Sequence, residues 1–348
     1  MNGEFTYQEI MGQGESWSKS LAEAENQFKK IIAHLKKPWS EVIFTGCGST
    51  HYLSLTAAAR WQSFTQMRAR GIPGSEIWLY PDTILPSKDP LLVAVSRSGS
   101  TTETIKAIHV YKERFNLDPI VISCYPDSEM MLTTNYPFLA TGATEKSVAQ
   151  TRSFSSMLLM TQYLMVKTAS DEIKFVNQLL QLPNAFNILV KKYENIIKHL
   201  SKEQKFQKFV FLGSGINYGL ACEAMLKMKE MSLSISEAFH FMEFRHGPMS
   251  MVADDTLIIG LLNDVTQKDE LKVLNEMKAF GATTLVIAES AKDINADYIF
   301  ELNSGIDPIL RGPLYLPSLQ LFAFYRAIEK GLNPDNPKNL SAFVELSD

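Results

Sequence analysis

Residues 41–58 read EVIFTGCGSTHYLSLTAA, and 167 residues further on, residues 208–225 read KFVFLGSGINYGLACEAM. Laid over one another, each gives an apolar strand, a Gly-x-Gly turn and the start of a helix, so the chain is read as an internal repeat. Further apolar runs follow in both halves, at residues 91–96 and 120–124 in the first and 257–262 and 285–288 in the second. Helical stretches at 102–115 and 268–280 lie between them, the latter ending at Gly281 as a C-terminal stop. Strands and helices alternating at this spacing call for a parallel sheet covered on both faces. The expected fold is therefore α/β, with two doubly wound parallel-sheet domains of flavodoxin-like or Rossmann-like type in tandem. The expected boundaries are a helical segment at 1–40, a first domain with linker helices at 41–200, and a second domain with its C-terminal tail at 201–348. The mainly helical link runs from about Arg152 to Glu203, with Pro183 and Asn184 marking a break.

With 348 residues the chain is long enough for two cores of ordinary size. Its 45% hydrophobic and 21% charged content is that of a globular protein, and no apolar run approaches the length needed to cross a bilayer. A net charge of -4 and a pI of about 5.9 give no broad positive field for nucleic acid. The pairs Lys29–Lys30, Lys36–Lys37 and Lys191–Lys192 are scattered along helical segments as solvated faces. The start MNGEFTYQEI lacks the basic and apolar regions of a secretory signal. Cys47, Cys124 and Cys222 are odd in number and widely spaced, with no CxxC and no metal-ligand spacing. A reducing, cytoplasmic home and no metal are expected.

The two copies have diverged in chemistry. After its second strand the first half reads Ser96, Arg97, Ser98, Gly99, Ser100, Thr101, Thr102, Glu103 and opens straight into a helix. Hydroxyls and backbone amides of a Gly-containing loop at a helix N-terminus form an anion site, though two or three of these residues would also serve as plain helix caps. At the same offset the second half has Asn263, Asp264, Val265 and Thr266, where an acidic side chain repels phosphate. Conversely, Glu223, Lys227 and Glu230 share one helical face amid Ala221, Cys222, Ala224, Met225, Leu226, Met228 and Met231. Their counterparts in the first half are Thr56, Arg60 and Ser63, which cannot do carboxylate chemistry. A helix apolar on most sides is buried, so its few charges face each other or a cavity, as in a proton-transfer site. The competing reading is a solvated pair worth a few tenths of a kcal/mol.

Other candidates are weaker alone. The turn Gly46, Cys47, Gly48, Ser49, Thr50 lacks the third glycine and the acidic residue of a dinucleotide fingerprint, so no nicotinamide cofactor is expected. Ser49 and Thr50 remain possible donors to the same anion. In TEKSVAQTRSF at 144–154, Glu145 and Gln150 are either substrate contacts or caps and turn residues. His246 precedes Gly247 and Pro248, a loop signature in which an imidazole can exchange a proton near neutral pH. His51 lies close to the first glycine turn.

These residues resemble the tandem sugar isomerase (SIS) domain proteins, in particular the isomerase half of glucosamine-fructose-6-phosphate aminotransferase and the stand-alone aminosugar-phosphate deaminases similar to it. The likeness rests on GCGST at 46–50, SRSGSTTET at 96–104, TEKSVAQTRSF, EAMLKMKEMSLSISEAF at 223–239, EFRHGPMSM at 243–251 and LPSLQLFAFYRAIEKGLNPDNPKNL at 316–340. It implies that Ser96, Arg97, Ser98 and Thr101, helped by Ser49 and Thr50, hold a 6-phosphate, with Gln150 among the substrate contacts. It implies that Glu230 carries a proton between C1 and C2, that Glu223 and Lys227 order and tune it, and that His246, supplied in such proteins by the neighbouring subunit, opens the sugar ring. A homodimer with shared sites follows, without metal or organic cofactor. The sequence departs from the family at two places. It begins Met1, Asn2 without the N-terminal cysteine of a glutaminase domain, so it is not expected to draw ammonia from glutamine by itself. Where the family places an imine-forming lysine it has Ala342, with Lys338 four residues away. The expectation is a deaminase and isomerase of an aminohexose 6-phosphate such as glucosamine 6-phosphate, giving ketose phosphate and ammonia. The rivals are a plain aldose-ketose isomerase, a deglycase of a sugar-amine phosphate, and a phosphosugar-binding sensor, although no basic helix-turn-helix precedes Glu41.

Overall fold

The structure, a computed structural model, describes residues 2–341. The chain divides into two compact units, Gly12–Pro183 and a second made of the N-terminal residues up to Met11 with Asn184–Leu340. The change from one to the other falls between Pro183 and Asn184.

The first unit is built on five parallel strands, β1 (Val42–Gly46), β2 (Ala69–Pro73), β3 (Leu91–Val95), β4 (Ile120–Ser123) and β5 (Tyr136–Leu139), in the order β2-β1-β3-β4-β5. β1, β3 and β4 are buried at every position, which is why VIFTG, LLVAV and IVIS read as unbroken apolar runs. The edge strands differ. ARGIP of β2 is half-buried throughout, and YPFL of β5 buries only Phe138. Proline is tolerated there because an edge strand has a side that donates no ladder bond. Neither strand, nor its counterpart in the second unit, stands out in the sequence.

The second unit repeats the plan with β6 (Lys208–Gly213), β7 (Ile235–Phe239), β8 (Thr256–Leu261), β9 (Thr283–Ala288) and β10 (Tyr298–Glu301), in the order β10-β9-β8-β6-β7 and again all parallel. Read from the other edge, this is the order of the first sheet, and in both the sequence of strands reverses beside the central pair. The repeat extends to single backbone positions. A Cβ at Gly46 would lie 2.5 Å from Thr50 Oγ1, and one at Gly213 would lie 2.6 Å from the Asn217 carbonyl, so both turns need glycine for the close approach of the following helix. Gly48 and Gly215 both take positive φ, +56° and +54°. The two helices that follow, Ser49–Thr65 and Tyr218–Ser232, both end on a left-handed residue, Gln66 and Leu233.

Helix Thr102–Phe115 has the bounds that its pattern predicts, and Gln267–Ala279 precedes Gly281 at φ +97°. Helix Arg152–Val166 is buried at every residue from Ser153 onward, packing in the first unit against helices Gln13–Leu35 and Ser49–Thr65. Among the described residues no helix is long and apolar enough to cross a membrane.

Candidate active-site residues

In the first unit, residues 46–50 and 96–102 leave the C-terminal ends of β1 and β3, which are neighbours in register through Thr45 and Ala94. This is the switch point at which open α/β sheets take their ligands. The hydroxyl loop holds itself in shape: Gly99 N–H donates to Ser96 Oγ at 3.1 Å, Ser100 N–H donates to Ser98 Oγ at 3.2 Å, and the Ser96 and Thr101 hydroxyls lie 3.2 Å apart. Gly99 sits at φ +65°, and a Cβ there would come within 2.0 Å of Ser128 Oγ. Thr101 is the N-cap of helix Thr102–Phe115, yet its side chain makes no capping hydrogen bond. Capping therefore does not account for this hydroxyl, and a helix N-terminus lies beside the loop.

Three residues expected as phosphate or substrate contacts are held in structural hydrogen bonds. Thr50 Oγ1 accepts from Cys47 N–H and donates to the Cys47 carbonyl, both at 2.9 Å, so it shapes the glycine turn. Ser49 is buried beside it. Arg97 is buried and donates to Glu145 at 3.4 Å and to the carbonyls of Ser147 at 3.2 Å and Val148 at 2.8 Å. Glu145 in turn accepts from Thr151 N–H at 2.7 Å, Thr151 Oγ1 at 2.8 Å and Ser153 N–H at 3.1 Å, closing the start of helix Arg152–Val166. Of its two readings, the cap is the one this arrangement realises. Arg97 and Glu145 thus pin the segment that carries Gln150, whose Oε1 is buried without a hydrogen-bond partner among the described residues. His51 Nδ1 is buried in the same unpartnered way, and burial lowers the pKa of this imidazole.

In the second unit, Glu223, Lys227 and Glu230 project from one face of helix Tyr218–Ser232. Their side chains are 0%, 1% and 19% exposed. Lys227 Nζ lies 3.3 Å from Glu223 Oε1 and donates a short hydrogen bond to Glu230 Oε2. Burial at this depth rules out the solvated pair. On its own, burial would discharge the ammonium, but the two carboxylates outweigh it and hold the Lys227 pKa above the ordinary lysine value. Lys227 is therefore a fixed cation, with one carboxylate sealed behind it and the other reaching toward solvent. His246 is exposed in the turn between Phe241–Phe244 and Pro248–Met251; its N–H bonds to the Glu243 carbonyl at 3.0 Å, and Gly247 follows at φ +123°. Among the described residues its imidazole makes no hydrogen bond or ion pair and is exposed to solvent.

The counterpart of the hydroxyl loop in the second unit is filled by the protein's own charges. Asp264 Oδ2 is 2.6 Å from Arg311 Nη2, and Glu289 Oε2 is 2.9 Å from Arg311 Nη1, with Arg311 only 1% exposed. Glu270 accepts from Asn263 N–H and Thr266 Oγ1, both at 2.8 Å, and burial pushes its pKa up to about 7. Asp264 stands out in the sequence but its partner Arg311 does not, because Arg311 stands 47 positions away and no local pattern connects them. No cluster of His, Cys, Asp and Glu suited to a metal ion occurs among the described residues. Ala342 lies outside the described residues.

Comparison with known proteins follows the same division. The SIS domain family matches residues 37–167 and again 203–330. A glutamine-fructose-6-phosphate aminotransferase (isomerizing) of Pyrobaculum aerophilum is 28% identical over 355 residues, covering 98% of this chain and 57% of that protein. This chain spans about half the length of the curated relatives it matches. The structure of glucosamine-6-phosphate deaminase from Thermotoga maritima superposes with a TM-score of 0.74 at 28% identity, covering 99% of this chain and all of that one. Tagatose-6-phosphate ketose/aldose isomerase from Escherichia coli shares the fold with a TM-score of 0.85 at 22% identity, covering 96% and 95%. Two matches to one domain, on two sheets of one topology, make this chain a member of the SIS domain family with the domain present in tandem.

Proposed function

We propose that the protein is a phosphosugar isomerase that deaminates an aminohexose 6-phosphate of the glucosamine type, yielding the ketose 6-phosphate and ammonia. The observation that carries this reading is the buried Glu223–Lys227–Glu230 row, in which a fixed cation holds a partly exposed carboxylate. The hydroxyl loop 96–102, with Ser49 and Gln150, grips the phosphorylated sugar. Arg97 and Thr50 serve that grip by shaping the 145–150 segment and the glycine turn. His246 opens the ring, exposing the C1 aldehyde. Glu230 takes the C2 proton and returns it to C1 while the aldehyde oxygen gains a proton, which leaves a ketimine at C2. Water adds to the ketimine and ammonia departs.

Two observations favour an amine carried by the substrate over an imine formed with the protein. Lys227, the lysine of the row, is held protonated between carboxylates and is a poor nucleophile. The position at which the resemblance places an imine-forming lysine is Ala342. Likeness to the Thermotoga maritima deaminase supports the same choice, while likeness to the Escherichia coli ketose/aldose isomerase keeps simple isomerisation as the second reading. Both use the same base. We further propose a homodimer in which His246 acts on the partner's substrate. Ammonia release from a panel of hexosamine 6-phosphates, run beside ketose formation from hexose 6-phosphates, decides between the two reactions. Deamination requires ammonia and ketose phosphate in equal amounts; ketose formed only from hexose phosphates contradicts it.

A further inference from the structure

We propose that Lys330 is a positioning residue for Glu230, acting through the end of the helix that carries it; the inference rests on the proton-transfer reading above. Helix Tyr218–Ser232 runs into Leu233 at φ +49°, a left-handed conformation that a residue with a Cβ adopts only under strain. One backbone bond closes this end, from Leu233 N–H to the Lys229 carbonyl at 3.1 Å. The last carbonyls of a helix otherwise lack donors. Lys330 Nζ supplies one to the final helix carbonyl, donating to Ser232 at 2.7 Å, and reaches on to the Leu233 carbonyl at 3.2 Å and Ser234 Oγ at 3.4 Å. Lys330 follows directly on helix Gly312–Glu329, which packs along helix Tyr218–Ser232, so a single ammonium ties the two helix ends together.

Glu230 stands in that last turn, three residues before Leu233. The C-terminal end of a helix carries partial negative charge and is a poor place for a carboxylate. The Lys330 ammonium sits on the last of the carbonyls that generate that charge, Ser232, and on the Leu233 carbonyl after it. The repeat supplies a comparison within the same chain. In the first unit the corresponding helix ends on Gln66 at φ +61°, and Gln66 closes its own turn by donating its side-chain amide to the Ser63 carbonyl at 2.9 Å. That helix carries no carboxylate row, and its end is finished by a neutral group. The helix with the carboxylates is finished by a cation brought from another element.

The test compares Lys330→Met and Lys330→Arg with the wild-type chain, reading amide hydrogen exchange over residues 228–233 and the kinetics of ammonia release. In Lys330→Met, exchange in that last turn rises, kcat falls by about ten- to a hundredfold, and KM for the sugar phosphate stays within about twofold. Lys330→Arg restores most of kcat. Unchanged exchange in Lys330→Met overturns the proposal, as does unchanged kcat, or a rise in KM with kcat preserved. Were the wild-type chain inactive on every sugar phosphate, the functional reading would fall, and exchange would still decide whether Lys330 orders the end of the helix.

Discussion

Lys227 has surroundings that fix its charge. It is buried between two carboxylates, and Glu223 behind it is sealed from solvent. Removing one partner of such a row costs far more than the row contributes when intact, because the remaining charge has no water to turn to. Lys227→Met is therefore expected to lower stability by about 3–5 kcal/mol in urea unfolding, and adding Glu223→Gln to return much of that loss. A loss below about 1 kcal/mol would mean that the row is solvated. Gly99 is constrained in a different way, by a positive φ and by Ser128 Oγ at 2.0 Å from where a Cβ would stand. Gly99→Ala distorts the hydroxyl loop, so weaker sugar-phosphate binding is expected, measured by calorimetry, with the acid-base residues untouched. The row was legible in the sequence because three polar residues at helical spacing interrupt an apolar surface. The structural role of Arg97 was not, since its partners at 145–148 come close only through the folding of β3 and the later loop.

At the scale of elements, the central strands and the helices between them were readable because full burial forces unbroken apolar runs. The edge strands β2, β5, β7 and β10 were not, since they run only four or five residues, mostly half-buried or exposed, with Arg, Pro or Glu among them. Two buried groups tie element packing to pH with opposite signs. His34, on helix Gln13–Leu35, stacks on Tyr136 of β5 with ring centroids 3.8 Å apart, and neither ring nitrogen has a partner among the described residues. Burial, with Lys37 nearby, lowers its pKa to about 4. The unfolded chain then binds a proton that the folded one refuses, so the stability contributed by neutral His34 is present above pH 6.5 and lost as pH falls toward 4. Glu270 is raised to about 7, so its contribution is full below the unfolded value of 4.5 and lost as pH rises toward 7. His34→Phe is accordingly expected to resist acid better than wild type between pH 6.5 and 4, and Glu270→Gln to lose less stability between pH 4.5 and 7. Thermal unfolding across that range checks both, and parallel curves for variant and wild type would contradict either one.

For the whole molecule, the two copies of the repeat have diverged at matched positions. The first unit keeps an open hydroxyl loop at its switch point, while the second has closed the same place with Asp264, Glu289 and Arg311 and has put its charges on a helix instead. The unlike residues at matched positions of the repeat were visible in the sequence; the closing of the second crevice was not, because it depends on contacts between distant loops. The proposed dimer with shared sites makes its own prediction. Glu230→Gln and His246→Asn chains, each inactive alone, are expected to recover roughly a quarter of wild-type activity when unfolded and refolded together, since random pairing gives some dimers one intact site. No recovery would mean that each chain completes its own site. The most direct test of the division of labour is Glu230→Gln assayed for ammonia release and, separately, for sugar-phosphate affinity. Turnover should fall at least about a hundredfold while the dissociation constant stays within about threefold; ammonia release at the wild-type rate would contradict the assignment of proton transfer to this residue.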